Sequence, residues 1–163
     1  MYQEANQTKT LKKLIFMFTN LMTMQLNITP DRLISDIQKE FNEIFPFLKL
    51  EFFNNKSFAR NNFSASQIIP RNRKLGEIQK GIKEDIIELE ELMKVNDLEN
   101  LFKDKFKLAV QVFRKSGNLW LETTMTDSWS LLQQNNHGKE ISTNKGENIK
   151  PDDFDLTRDA DNR

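Results

Sequence analysis

One pattern of the chain occurs twice, and the two copies constrain its fold more than any other feature. Around Asp36 the residues run Ile34-Ser35-Asp36-Ile37, followed by Phe41 and Phe45. Around Asp97 they run Val95-Asn96-Asp97-Leu98, followed at the same spacing by Phe102 and Phe106. In each copy an apolar residue recurs every three or four positions, which draws one stripe down a helix.

The flanks of both copies alternate instead. Met22, Met24, Leu26 and Ile28 interleave with Thr23, Gln25 and Asn27, the pattern of a half-buried strand. Thr29-Pro30 reads as the start of the first helix, with Thr as cap and Pro in the first turn, and Pro46 as its end. Leu48, Leu50 and Phe52 alternate again as a second strand. Ahead of the second copy, Ile82, Ile86, Leu89 and Met93 suit a helix as well as a strand. Alignment on the shared Asp lays Leu26-Asn27-Ile28 on Ile87-Glu88-Leu89 and decides for a strand over 85–90. After the second helix, Leu108, Val110 and Val112 match Leu48, Leu50 and Phe52 only if one residue is dropped, since a one-residue slip moves a strand's buried set to the other face.

Ser116-Gly117 reads as a two-residue hairpin turn that pairs Val112 with Leu121 and Phe113 with Trp120. Asp127-Ser128 signals a short helix carrying Trp129, Leu131 and Leu132, stopped by Gly138. The order of elements predicts an α+β fold: ferredoxin-like duplicated β-α-β units with an extra C-terminal hairpin strand and a short helix. Its first and third strands would sit in the middle of the sheet, with both helices on one face. The alternative is a small α/β sheet of two docked β-α-β units.

A chain of 163 residues fits one domain, expected here over 22–138. Residues 1–21 read as an N-terminal extension, either disordered or sequence upstream of a true start at Met22 or Met24. Their apolar run Leu14–Phe18 is too short for a membrane span and no small-residue cleavage site follows it. Residues 54–83 carry Lys56, Arg60, Arg71, Arg73, Lys74, Lys80 and Lys83 against Glu77 alone, and read as a mobile basic insert. Residues 139–163 lack periodicity and read as a disordered acidic tail, within which 151–156 (PDDFDL) resembles an acidic short linear motif with apolar anchors.

Twenty-four basic residues balance twenty-four acidic ones, so no global field recruits nucleic acid or an anionic membrane. The absence of cysteine removes disulfides, thiolate chemistry and Cys-ligated metals, and fits a cytoplasmic location. The single histidine, His137, lies in a polar stretch at an expected helix end, which leaves no base for a nucleophile and no zinc set. Glu84, Asp85, Glu88, Glu90 and Glu91 are dense enough for acid–base work, yet no Asp/Gly-rich loop organises them, and a solvated acidic face is the better reading. No cofactor, metal or catalytic residue is therefore expected, and the chain reads as a non-enzyme.

Two binding readings are left. Phe53, Phe113 and Trp120 lie on the outer strands, away from the core side, and form a candidate protein-binding face for a partner or a second copy of the chain. The competing reading has Trp129 and Leu132 folding back over that face. Arg60, Arg71, Arg73, Lys74, Arg114 and Lys115 are candidate nucleic-acid contacts through phosphate, with Phe58, Phe63 or Trp120 to stack. The open face of the central strands would show Gln25, Asn27, Glu88 and Glu90, which argues against base stacking there of the kind RNA-recognition domains use.

FPFLKLEFF near Phe45 and VQVFRKSGNLWLETTMTDSW near Val110 are similar to a family of small conserved bacterial proteins of unknown function. The resemblance spans roughly Leu26–Gly138. It implies a compact cytosolic domain, and no activity, ligand or site residue comes with it.

Overall fold

A computed structural model describes residues 24–54 and 65–143. In chain order the elements are β1 (Gln25–Ile28), α1 (Ile34–Ile44), β2 (Leu48–Phe53), the single turn α2 (Leu75–Ile78), β3 (Asp85–Glu88), α3 (Val95–Phe106), β4 (Ala109–Ser116), β5 (Leu119–Glu122) and α4 (Leu131–Thr143). Alternation in β1 buries Leu26 and Ile28 and exposes Gln25 and Asn27. The stripe of α1 buries Ile34, Ile37 and Phe41, and that of α3 buries Val95, Leu98, Phe102 and Phe106. These stripes meet Leu48, Leu50, Phe52, Val110 and Val112 in one core, where Phe52 and Phe102 pack edge to face at 5.9 Å.

The fold is α+β and consists of two docked β-α-β units whose strands divide between two antiparallel sheets, β1-β3 and β2-β4-β5. The first and third strands pair as a ferredoxin-like arrangement has them, but β2 and β4 pair with each other rather than flanking β1 and β3. The free edges of β2 and β4 explain this. Along β2, the carbonyls of Leu48, Leu50 and Phe52 are taken by the Asn42 amide, the Gln38 amide and the Ile69 N–H. Along β4, β5 and the side chains of Glu99 and Thr123 take the corresponding groups. With those groups engaged, β2 and β4 do not extend the β1-β3 pair.

The pairing exposes a two-fold relation between the units. Leu26 and Ile87, equivalent in the duplication, lie directly opposite each other; so do Glu51 and Gln111. The relation extends to the helix starts. Leu33 bridges Lys74, and its counterpart Lys94 bridges Ser130. Ile34 N–H bonds Arg73 O (3.0 Å) and Leu75 N–H bonds Arg32 O (3.0 Å), while Val95 N–H bonds Trp129 O (3.1 Å) and Leu131 N–H bonds Met93 O (2.9 Å). Each of the four helices opens with a fully buried aliphatic: Ile34, Leu75, Val95 and Leu131. Residues 70–78, expected as part of an insert, are thus the closing element of the first unit and the counterpart of residues 126–134. Residues 65–69 lie along the edge of β2, bridging Phe53 to Ile68. The rest of the expected insert that carries Arg60, Phe58 and Phe63 lies outside the described residues, as do residues 1–21; of the tail expected over 139–163, residues 139–143 belong to α4 and the rest lies outside the described residues.

Four local expectations change. Thr29-Pro30 forms a turn, closed by Arg32 N–H on Thr29 O, and α1 begins only at Ile34, because pairing with Arg73 and Arg71 satisfies its first N–H groups. The hairpin loop is Gly117-Asn118, so Lys115 faces Trp120 and Phe113 faces Glu122. Gly117 has φ 60°, as the first position of a two-residue hairpin loop demands. Gly138 lies within α4, where a Cβ would come 2.9 Å from Phe47 Cβ and 3.0 Å from Arg114 Cγ, so this glycine permits close packing and does not end the helix. The start of α4 is a capping box: Gln133 N–H bonds Ser130 Oγ at 3.1 Å and Ser130 N–H bonds Gln133 Oε1 at 2.9 Å.

Candidate functional site

Side chains alternate across β2, β4 and β5. Leu48, Leu50, Val110, Val112 and Arg114 face the helices, while Lys49, Glu51, Phe113, Lys115 and Trp120 face the other way. On this second face Lys49 lies directly opposite Phe113, and its ammonium stands 5.1 Å from the Phe113 ring centre and 5.2 Å from that of Trp120. Both rings remain partly exposed. Phe53 does not join them. It pairs with Ala109 at the far end of the strands and is 2% exposed, with residues 65–69 alongside it. It belongs to the interior. Trp129 does not cover the aromatic pair either, since it packs edge-on against His137 at 5.6 Å and beneath Arg114 at 5.8 Å.

A chain of polar contacts runs from the aromatics to the first unit's closing turn. Lys49 Nζ bonds Glu51 Oε1 (2.8 Å), and Gln38 Nε2 donates to Glu51 Oε2 (3.0 Å) and to Leu50 O (2.7 Å). Arg71 Nε donates to Gln38 Oε1 (2.6 Å). These groups enclose a depression of about 360 Å³, with Lys39, Lys49, Arg71 and Trp120 on its wall.

The six basic candidates do not converge. Arg71 and Lys115 belong to the aromatic side, whereas Arg114 faces α4, where Gln134 Oε1 accepts from its Nη1 at 2.7 Å and burial lowers its pKa. Arg73 is engaged by Glu77 (2.6 Å) and Lys74 by Asp31 (3.4 Å). Arg60 lies outside the described residues.

Members of the acidic run have different surroundings. Asp85 pairs with Lys105 at 2.7 Å, and that hydrogen bond holds its pKa below the usual carboxylate range. Of the run, Glu91 lines a depression of about 600 Å³ together with Glu40 and Glu43. Glu40 is neutralised there by Arg32. Among the described residues no group of three or more His, Cys, Asp or Glu is placed to hold a metal ion, and no helix is long and apolar enough to cross a membrane.

The second unit carries the counterpart of the Gln38–Glu51–Arg71 network with its chemistry exchanged. Glu99 stands where the first unit has Gln38, Gln111 where it has Glu51, and Asp127 where it has Arg71. Among the described residues Glu99 is the strongly perturbed carboxyl: burial pushes its pKa up to about 7, against the hydrogen bond from Val112 N–H and with a further push from Asp127. Neither Gln38 nor Glu99 stands out as a site residue in the sequence: Gln38 looks like an ordinary polar position of an amphipathic helix, and Glu99 like an acid near a helix start that suits the helix dipole. Superposing the two copies and noting where their polar residues disagree would have singled them out. No family model, curated protein or solved structure matches the chain.

Proposed function

We propose that this chain is a non-enzymatic, cytoplasmic protein-interaction domain, which binds a partner or a second copy of itself through the face carrying Phe113 and Trp120. The supporting observation is the aromatic pair itself, half exposed and held on either side of the Lys49 ammonium. The adjoining strand β5 is a sheet edge whose Leu119 and Leu121 are 67% and 42% exposed, without a proline or lysine to block pairing. Large aromatics on a rigid strand are the residues that dominate interface energies, typically about 2 kcal/mol or more each when truncated.

Trp120→Ala and Phe113→Ser test the reading. Both variants keep the native circular dichroism and melting transition but lose self-association, or capture of the partner recovered with the wild-type chain. Unfolding of both variants would make the pair part of the core and end the proposal.

A second reading, weak nucleic-acid binding, draws on Arg71 and Trp120 sharing one depression. It requires an affinity that falls steeply with salt, and absence of any retardation of single- or double-stranded nucleic acid at low salt removes it.

A further inference from the structure

The depression between Arg71 and Trp120 places a cation beside an apolar ring. Arg71 spends only its Nε, on Gln38, and its two terminal nitrogens bond nothing among the described residues. Such a fork donates to the two oxygens of a carboxylate in parallel. Beside it the half-exposed indole of Trp120 offers an apolar surface. Lys115, opposite Trp120 on β4, forms no ion pair among the described residues either. Lys39 is only loosely engaged, 3.9 Å from Glu43.

The duplication shows that the fold does not need this set. At the same places the second unit has Asp127 for Arg71, Glu99 for Gln38 and Ala109 for Lys49, with the same backbone hydrogen bonds intact. One scaffold position, basic in one unit and acidic in the other, marks a feature added to the scaffold.

We propose that this depression is a carboxylate-recognising site, which takes an acidic residue of a partner's peptide segment on Arg71 while an adjacent apolar side chain of that segment rests on Trp120. The proposal builds on the protein-interaction reading of the same face. A peptide is favoured over a nucleic-acid strand because the cations do not form a track. Lys49 is already neutralised by Glu51, Arg73 and Lys74 are paired, and Arg114 is on the other side of the sheet. One or two carboxylates fit such a spacing better than a row of phosphates.

The test uses the full chain and three probes: a blocked hexapeptide Glu-Asp-Phe-Asp-Glu-Leu, the same peptide with lysine at every acidic position, and a twelve-residue oligothymidylate. The indole N–H resonances of the two tryptophans are followed by NMR, with Trp120→Phe for assignment. The acidic peptide is expected to move the Trp120 signal saturably and leave Trp129 in place. Arg71→Lys, which keeps the charge and loses the fork, is expected to weaken this binding at least tenfold. Equal binding of the lysine peptide, an unchanged affinity in Arg71→Lys, or tighter binding of the oligonucleotide would each overturn the proposal. If Trp120→Ala abolishes association while Arg71→Lys leaves peptide affinity unchanged, the interaction face stands and only the carboxylate site falls. If the peptide binds through Arg71 but Trp120→Ala leaves association intact, the site stands and the interaction reading falls.

Discussion

The Glu99 side chain of α3 accepts a hydrogen bond from the Val112 backbone N–H of β4 at 2.9 Å, just beyond the point where β5 stops pairing with that edge. The contact fastens helix to sheet, but its acceptor is a largely buried carboxyl facing Asp127. Burying a carboxylate with one hydrogen bond and no counter-charge favours the protonated form.

A pH dependence of stability follows. The folded-state pKa of Glu99 is about 7, above the ordinary 4.5, so between those values the native chain retains a proton that the unfolded chain has released. Stability is therefore greatest below the lower value, declines as pH rises through this window, and levels off above the upper one. Glu99→Gln keeps an oxygen for Val112 N–H and installs the residue that the first unit has at Gln38. It is expected to flatten the decline and to stabilise the chain at pH 8 by on the order of 1–3 kcal/mol. Urea denaturation of both proteins at pH 5 and pH 8 checks this, and a wild-type stability that rises over that interval would contradict it.

Gly138 gives a prediction of opposite sign to its helix propensity. Alanine inside an exposed helix stabilises by about 1 kcal/mol relative to glycine. Here the added Cβ meets Phe47 Cβ at 2.9 Å, Arg114 Cγ at 3.0 Å and Phe47 O at 3.1 Å, and the backbone oxygen cannot yield as a side-chain tip can. Gly138→Ala is expected to cost about 1–2 kcal/mol net, and Gly138→Val more, read as a lowered melting temperature. The loss concentrates where α4 docks, so amides of α4 should exchange faster while those of α1 keep their protection.

Lys107 carries the converse case. It leaves α3 at φ 57°, ψ 33°, a left-handed conformation that glycine adopts without steric cost. Its Nζ bonds the exposed Asp104 carbonyl, a contact of small value. Lys107→Gly is expected to stabilise the chain by roughly 0.5–1 kcal/mol in thermal or urea unfolding.

The same residue explains a gap in the duplication. At Lys107 the left-handed turn brings Leu108 N–H back onto Phe102 O, so α3 reaches β4 one residue sooner than α1 reaches β2 through Pro46. Sequence alone locates that gap because the buried sets of β2 and β4 must share a face, and it locates both helix stripes for the same reason: local periodicity is written in neighbouring residues. Sheet pairing is not. Whether β4 lies beside β2 or β3 depends on Gln38 and Asn42 capping the β2 edge from the helix, contacts between positions that carry no mutual pattern. The correspondence of residues 70–75 with the start of α4 is not legible in the sequence, because Arg71-Asn72-Arg73-Lys74 and Asp127-Ser128-Trp129-Ser130 have no side chain in common. What the two turns share is backbone pairing and one buried leucine. Of the expected site, Phe113 and Trp120 were legible from alternation, whereas the burial of Phe53 depends on the distant segment 65–69.

The two-fold relation itself can be tested at its axis, where Glu51 and Gln111 lie directly opposite each other. Gln111 is 4% exposed and its Oε1 has no hydrogen-bond partner among the described residues, while its Nε2 donates to Thr124 Oγ1 at 2.9 Å. Gln111→Glu places a second carboxylate beside Glu51, whose ammonium partner Lys49 is already engaged, and removes the donor to Thr124. Like charges directly opposite in an antiparallel pair repel, and the new carboxyl is denied water. Its folded-state pKa therefore rises above the unfolded value, so the variant loses stability as pH rises through that interval. The expected cost is about 2–4 kcal/mol at pH 8, shrinking to about 1 kcal/mol at pH 4, where the lost Thr124 contact is what persists. Urea unfolding at the two pH values separates these contributions. A Gln111→Glu chain as stable as wild type at pH 8 would mean that the two side chains are not neighbours, and the register of β2 on β4 would have to be redrawn.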